Sequence, residues 1–348
     1  MIGLLHKSIV RLSAVLLALG ALAQPAYTQF EAEPTNAEQT QSVQEVEELS
    51  LEQLLTQIQL ASARVNYQGT FVSHWANEHL ITSRITNIFN NEHLSRRVES
   101  LDDNPIEVLR TDDQQIQLFP DKQMVFSTPV REHEFPGLLL TQPIDIATYY
   151  AAHELSKPAR VAGIECKKIV LEPRDTNRYG FRLCVEPIKR LLLQIETLNP
   201  KQQIVSQTTF THLLFDEQID AEAIHTKHDY VNWDHFKARS DEVDLEAEGW
   251  HFSLPDGFQK VTSFKLVMGT NKEVRQLTLS DGLSSFSVFI QELDQQDKET
   301  YGHSDQVEGP VNIYSRRLGS YWLTALGAMP LATLEAVAES AQHITIEN

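Results

Sequence analysis

Between Tyr67 and Phe215 the sequence is divided into short runs in which β-branched and aromatic residues alternate with polar ones, each closing on turn-forming residues. An apolar period of two fits strands with one buried face and does not fit helices. The first runs fall at Tyr67–Trp75, Leu80–Phe89, His93–Ser100, Ile106–Arg110, Gln115–Phe119 and Met124–Thr128, separated by stretches such as Asp102-Asp103-Asn104-Pro105 and Pro120-Asp121-Lys122. A looser stretch, Pro129–Ala159, carries Pro136-Gly137-Leu138-Leu139-Leu140 and Tyr149-Tyr150. Three more strands are expected at Gly163–Leu171, Tyr179–Ile195 and Gln203–Phe215. A sheet with one apolar face needs a covering layer, and the sequence supplies one just upstream. Ser50 can cap a helix, Gln53 completes a capping box, and Leu51, Leu54, Leu55, Ile58, Ala61 and Val65 form a single stripe. The expected fold is mainly β with packed helices, α+β, built on a strongly curved, open half-barrel sheet wrapped around that helix.

A second unit follows. From Asp216 to Glu248 the chain turns acidic and ends in Ser240-Asp241-Glu242-Val243-Asp244-Leu245-Glu246-Ala247-Glu248, which reads as a link between domains, with Tyr230-Val231-Asn232-Trp233 as a candidate docked piece of the first. Beyond Gly249-Trp250, strands are expected at His251–Leu254, Phe264–Val267, Val274–Ser280, Ser285–Gln291, Val311–Arg317 and Tyr321–Leu326. A closing helix after Pro330 has Leu331, Leu334, Val337, Ala338 and Ala341 as its stripe. The resulting division is 50–216 for the first domain, 217–248 for the linker and 249–348 for a smaller antiparallel β domain with a terminal helix.

The N-terminus carries Lys7 and Arg11 ahead of an apolar run from Leu12 to Leu22, then Ala21-Leu22-Ala23. That is the pattern of a Sec signal peptide over 1–23, cut after Ala23; the run is well short of the ~20 residues of a membrane span. Residues 24–49 are acidic, rich in Gln and Thr and lack apolar periodicity, so a disordered leader is expected. The predicted location is outside the cytoplasm, as a soluble mature protein. Cys166 and Cys184 suit that oxidising address. With Arg174-Asp175-Thr176-Asn177 as the turn between them, they are expected to face each other across one hairpin as a disulfide on its outer face, worth on the order of 3 kcal/mol. That register sets Lys168 opposite Arg182, a like-charge pair that a bulge would have to relieve.

Charge and motifs narrow the chemistry. Lys plus Arg number 29 against 48 Asp plus Glu, a net charge of −19 that repels a phosphate backbone, so nucleic acid is not an expected partner. P-loop, GxGxxG, HExxH and GxSxG patterns are absent, and the reading is of a non-enzyme without cofactor. His225, His228, Asp229 and His235 have metal-ligand spacing but sit in the acidic stretch, where solvated polar residues are the simpler account; no metal is expected. Two candidate sites remain. A concave sheet would turn Phe71, Ile81, Ile85, Phe89, Val98, Leu118, Met124, Phe126 and the loop leucines Leu138, Leu139 and Leu140 inward, lining a cleft for acyl chains, though packing on the helix accounts for many of them. The hairpin Tyr314–Trp322 concentrates Tyr314, Arg316, Arg317 and Trp322, the residue types of binding hot spots, as a positive spot suited to an acidic peptide or an anionic head group.

Four stretches resemble the MucB/RseB family: Leu60–Phe71 (LASARVNYQGTF), Arg97–Arg110 (RVESLDDNPIEVLR), 249–258 (GWHFSLPDGF) and, most specifically, Gly309–Ala341 (GPVNIYSRRLGSYWLTALGAMPLATLEAVAESA). Members are periplasmic negative regulators of an envelope-stress sigma factor of the sigma-E/AlgU type. The resemblance implies a large N-terminal domain shaped like the lipoprotein carriers LolA and LolB and a smaller C-terminal domain. It implies binding to the periplasmic domain of an RseA/MucA-like anti-sigma factor, shielding of that factor from site-1 proteolysis, and release by lipopolysaccharide or by acyl chains of mislocalised lipoproteins. Partner contact is carried to Tyr314, Arg316, Arg317 and Trp322. The long acidic leader and the cysteine pair depart from the family pattern. A periplasmic lipid or lipoprotein carrier is the alternative function, and the sequence is compatible with a homo-oligomer.

Overall fold

The computed structural model describes residues 49–75, 80–103, 105–128, 135–138, 145–237, 240–268, 272–293, 305–307 and 311–344. The expected signal peptide, the leader up to Glu48, and Leu139 and Leu140 lie outside the described residues. Helix α1 (Leu51–Arg64) begins at the capping box read from the sequence: the Gln53 backbone N–H donates to Ser50 Oγ at 3.2 Å, and the Ser50 N–H to Gln53 Oε1 at 2.8 Å. Its stripe buries Leu55, Ile58 and Ala61.

Among the described residues twelve strands form one sheet. They are β1 (Tyr67–Trp75), β2 (Ile81–Asn90), β3 (His93–Ser100), β4 (Glu107–Arg110), β5 (Gln115–Phe119), β6 (Met124–Thr128), β7 (Tyr150–Val161), β8 (Ile164–Pro173), β9 (Gly180–Val185), β10 (Leu192–Leu198), β11 (Ile204–Phe215) and β12 (Asp234–Lys237). The order is β12-β6-β5-β4-β3-β2-β1-β11-β10-β9-β8-β7. Among the described residues only β12 runs parallel to its neighbour, and the sheet is open, with β12 and β7 as its edges. Both halves reach the same helix. Ile169, Leu171, Phe181 and Leu183 of β8 and β9 pack with Leu55 and Ile58, while Tyr67 Oη of β1 donates to Ser62 O at 3.0 Å and Asn87 Nδ2 of β2 to Ala63 O at 3.0 Å. A sheet that touches one helix from both sides is bent around it, which is the open, curved sheet expected.

Four local expectations need correction. The run Tyr179–Ile195 is two strands, because Pro187 lacks a donor and Arg190, at φ 60°, turns the chain back. The Glu186 carboxylate accepts from the Ile188 N–H at 2.9 Å and also from that of Lys189, which fixes the turn. The looser stretch hides a short helix α2 (Ile146–Tyr149) and the twelve-residue edge strand β7. The β8–β9 register is also two residues from that expected: Lys168 faces Cys184, and Val170 faces Arg182. The like-charge pair therefore never forms, and no bulge is needed between these strands. Cys166 and Cys184 are bonded across the diagonal, 3% and 1% exposed among Val161, Leu191 and Leu193, so the bridge lies in a core rather than on an outer face.

The smaller sheet contains β13 (Ser240–Glu242), β15 (Gln259–Met268), β16 (Lys272–Ser280), β17 (Ser285–Glu292), β18 (Asp305–Val307), β19 (Asn312–Leu318) and β20 (Tyr321–Gly327). All are antiparallel, in the order β13-β15-β16-β17-β20-β19-β18. Helix α3 (Leu331–Ser340) covers one face through Leu334, Val337 and Ala338. A separate pair, β14 (Trp250–His251) with β21 (Gln342–His343), brings the start and end of this lobe together. The 217–248 stretch expected as a linker contributes to both sheets: β12 extends the first and β13 the second.

Candidate functional site

Strand register decides which side chains share a face, since directly paired residues point the same way and neighbours in sequence point apart. One row of pairs runs Gly69–Ile85–Val98–Val108–Gln117–Phe126 across β1 to β6. On this α1 side lie Phe71, Ile81, Ile85, Phe89 and Phe126. The adjacent row, Arg84–Glu99–Glu107–Leu118–Val125, points to the opposite side. Leu118 is therefore not in the cleft; it is buried beneath the reverse face, because an even position on β5 takes the other direction.

The cleft is partly filled. Ile85 is fully buried, and Phe71 meets the rings of Phe135 at 5.3 Å and Phe210 at 6.0 Å, so near the helix the apolar residues are core. Leu138 is buried with Leu55, Ile58, Ile169 and Leu171 in the same layer. Farther from the helix the apolar surface opens. Phe126 stacks on Phe236 of β12 at 4.9 Å and packs edge-on against Phe119, and Phe236 remains 43% exposed. Phe119 and Phe236 were not among the sequence candidates. Phe119 breaks the Gln-Ile-Gln-Leu alternation of β5 and so joins Gln117 on the α1 side, whereas Phe236 lies in the stretch read as linker.

The reverse face is polar and crossed by residues 216–233. Arg97 holds Glu107 through Nε at 3.2 Å and Nη2 at 2.9 Å, and its Nη1 donates to Ala223 O of the crossing segment at 3.1 Å. His228 Nε2 lies 3.4 Å from Glu107 Oε1. Burial alone would raise the Glu107 carboxyl; hydrogen bonds from Arg97 and Thr226, with the charges of Arg97 and His228, outweigh it and hold the group below the usual carboxylate range. Cavities of ≈ 540 Å³ and ≈ 440 Å³ flank this segment, and His225 and Thr226 line both. His228 faces Glu107 and the Trp233 ring, and His235 Nε2 contacts Tyr230 O. Among the described residues no group of three or more metal-ligating side chains is assembled.

In the smaller lobe, the candidate hairpin is β19–β20, and its four residues divide between two faces. Tyr314 pairs with Ala325 and Arg316 with Leu323, on the side that packs α3; Arg317 pairs with Trp322 on the other. Tyr314 is buried and donates to Glu339. Arg316 Nη1 donates to the last-turn carbonyls of α3, Ala338 O at 3.2 Å and Glu339 O at 3.0 Å, and lies 2.8 Å from the Glu339 carboxylate. It satisfies carbonyls that the helix end leaves open. Arg317 is exposed and Trp322 buried. The single positive patch expected is thus two unlike places. Arg316→Glu is expected to lower stability by about 1–2 kcal/mol, while Arg317→Glu changes it by less than about 0.5 kcal/mol; urea unfolding of both variants separates them.

The lobes meet at residues 174–179, the turn between β8 and β9. Arg178 has no exposed surface and places its guanidinium 4.7 Å from the Tyr149 ring centre and 5.0 Å from that of Phe258. Its Nη1 donates to Asp281 Oδ2 at 2.7 Å and its Nη2 to Asp175 Oδ2 at 2.9 Å and to Asp256 O. Burial opposes its charge, but the bond from Asp175 and the field of Asp281 prevail and raise its pKa. Tyr150 Oη donates to Asp281 at 2.9 Å; burial, then the Asp281 charge, push that phenol well above its ordinary value. Gly257, at φ 84°, is held against Tyr149: a Cβ there would sit 2.6 Å from the ring.

Comparison with known proteins gives a consistent result. Residues 50–228 match the MucB/RseB N-terminal domain and 244–342 the MucB/RseB C-terminal domain. The chain is 30% identical over 203 residues to the sigma factor AlgU regulatory protein MucB of Pseudomonas aeruginosa, an alignment covering 57% of this chain and 62% of that relative, less than two thirds of its length. It is 22% identical over 307 residues to the sigma-E factor regulatory protein RseB of Haemophilus influenzae, covering 86% of this chain and 93% of the relative. A solved complex of Pseudomonas aeruginosa MucA and MucB superposes with a TM-score of 0.67 at 26% identity, covering 85% of this chain and 99% of the other. MucB in complex with MucA(peri) gives 0.65, also at 26%, with 84% and 98% covered. Among the described residues no helix is long and apolar enough to cross a membrane. With both family domains matched in order, and the first alone spanning more than half of the residues, the chain belongs to the MucB/RseB family.

Proposed function

We propose that this protein is a periplasmic regulator of sigma-factor activity. It binds the periplasmic part of a MucA/RseA-like anti-sigma factor and shields it from site-1 proteolysis. Lipopolysaccharide or the acyl chains of mislocalised lipoproteins release it. The observation that carries the reading is the match to both family domains, together with likeness to MucB as found in its complex with MucA. The apolar surface beyond α1, centred on Phe119, Phe126 and Phe236, supports the lipid part, as a half-open aromatic strip on the concave side accepts an acyl chain without exposing polar backbone. The work assigned here is binding.

Protease protection tests the reading. Adding the protein to the periplasmic fragment of a MucA-type anti-sigma factor is expected to slow its cleavage by the site-1 protease at least tenfold at saturating protein, and purified lipopolysaccharide is expected to restore cleavage. An unchanged rate at saturating protein would remove the assignment. Net movement of lipid between donor and acceptor vesicles, without any effect on cleavage, would instead favour a carrier.

A further inference from the structure

The first-lobe core around α1 and the strand that starts the candidate partner hairpin are joined through one turn. Residues 174–179 connect β8 and β9, whose inward side chains Ile169, Leu171, Phe181 and Leu183 form the layer that holds Leu138 and α1. The same turn and its neighbours enter the smaller lobe at several points. Arg178 holds Asp281, in the turn between β16 and β17, and Asn177 O accepts from Thr333 Oγ1 in the first turn of α3 at 3.1 Å. Tyr179 Oη accepts from Asn312 Nδ2 at 3.0 Å, and Asn312 is the first residue of β19, two positions before Tyr314. In the other direction, Leu283 from the β16–β17 turn packs against the first-lobe core, beside Tyr150, whose hydroxyl meets Asp281 and Ser284. Neither lobe's layer can shift at this point without moving a side chain of the other.

We propose that the β8–β9 turn, through Tyr179 on Asn312 and Arg178 with Tyr150 on Asp281, is the positioning element by which lipid on the outer aromatic strip of the first lobe, acting through the packed α1 layer, alters how β19–β20 grips a polypeptide partner. This rests on the sensing part of the function proposed above and assigns its route. Packed layers of this kind respond by discrete shifts rather than by continuous yielding, and α1, which both halves of the sheet grip, relays a lipid seated on the outer aromatic strip to the strands that carry the turn. Coupling between two ligands is reciprocal, so the partner must also weaken lipid binding by the same factor.

Removing single hydroxyls tests this without deleting a charge. The affinity of the full chain for the periplasmic fragment of a MucA-type anti-sigma factor is measured by titration calorimetry with and without purified lipopolysaccharide, and the ratio of the two dissociation constants is the coupling factor. A wild-type factor in the usual range of about 5–150 is expected. In Tyr179→Phe and Tyr150→Phe it falls below about 2, while both variants bind lipopolysaccharide alone as the wild type does. A wild-type factor that persists in both variants overturns the route and leaves the sensing function standing. Loss of coupling through loss of lipopolysaccharide binding overturns the route as well. A wild-type factor of 1 overturns the sensing reading and this inference with it.

Discussion

The Asp281→Ala chain unfolds with roughly 3–5 kcal/mol less stability than the wild type, the cost of leaving a buried charge without its partner. Arg178 and Asp281 are both inaccessible to solvent, and the distance between them is 2.7 Å. Water cannot replace the carboxylate without opening the contact between lobes, and the remaining carboxylate partner, Asp175, is itself partly exposed. Urea unfolding followed by tryptophan fluorescence measures the loss. A change under about 1 kcal/mol would mean that Arg178 is stabilised without Asp281. The double variant Arg178→Met with Asp281→Leu should lose less than Asp281→Ala alone, since apolar groups of similar volume need no compensating charge.

Removing the disulfide is the second large effect. Cys166 and Cys184 close a loop with a sequence separation of 18, so the double replacement by serine is expected to cost about 3 kcal/mol, from the freedom restored to the unfolded chain. Two hydroxyls placed in the apolar cluster of Val161, Leu191 and Leu193 add to that loss. Replacement by alanine separates the terms: it keeps the loss of the cross-link and removes the buried hydroxyls. Equal stability of wild type and alanine variant, each measured with and without reductant, would exclude a stabilising bond.

Local signals in the sequence were strong where a residue acts on its near neighbours. The Ser50–Gln53 box and the stripe of α1 were legible, and β1, β3, β5 and β6 occupy the expected spans. The β7 strand escaped notice because Ala152 to Pro158 are exposed and lack any alternation, as befits a sheet edge. The break at Pro187 was present in the sequence but was outweighed by the apolar run that follows it. Parity was also readable: Leu118 and Arg317 could have been assigned to their faces by counting twos along β5 and β19. The junction could not be read that way. Arg178 and Asp281 are separated by 103 positions, and each looks like a solvated turn residue until the lobes are brought together.

The arrangement of β12 and β13 limits how the molecule can respond. β12 ends at Lys237 on the edge of one sheet, and β13 begins at Ser240 on the edge of the other. Three peptide links cannot reach farther than about 11 Å. Even with the Arg178 contact broken, the two halves stay leashed at that margin, and complete parting is denied to them.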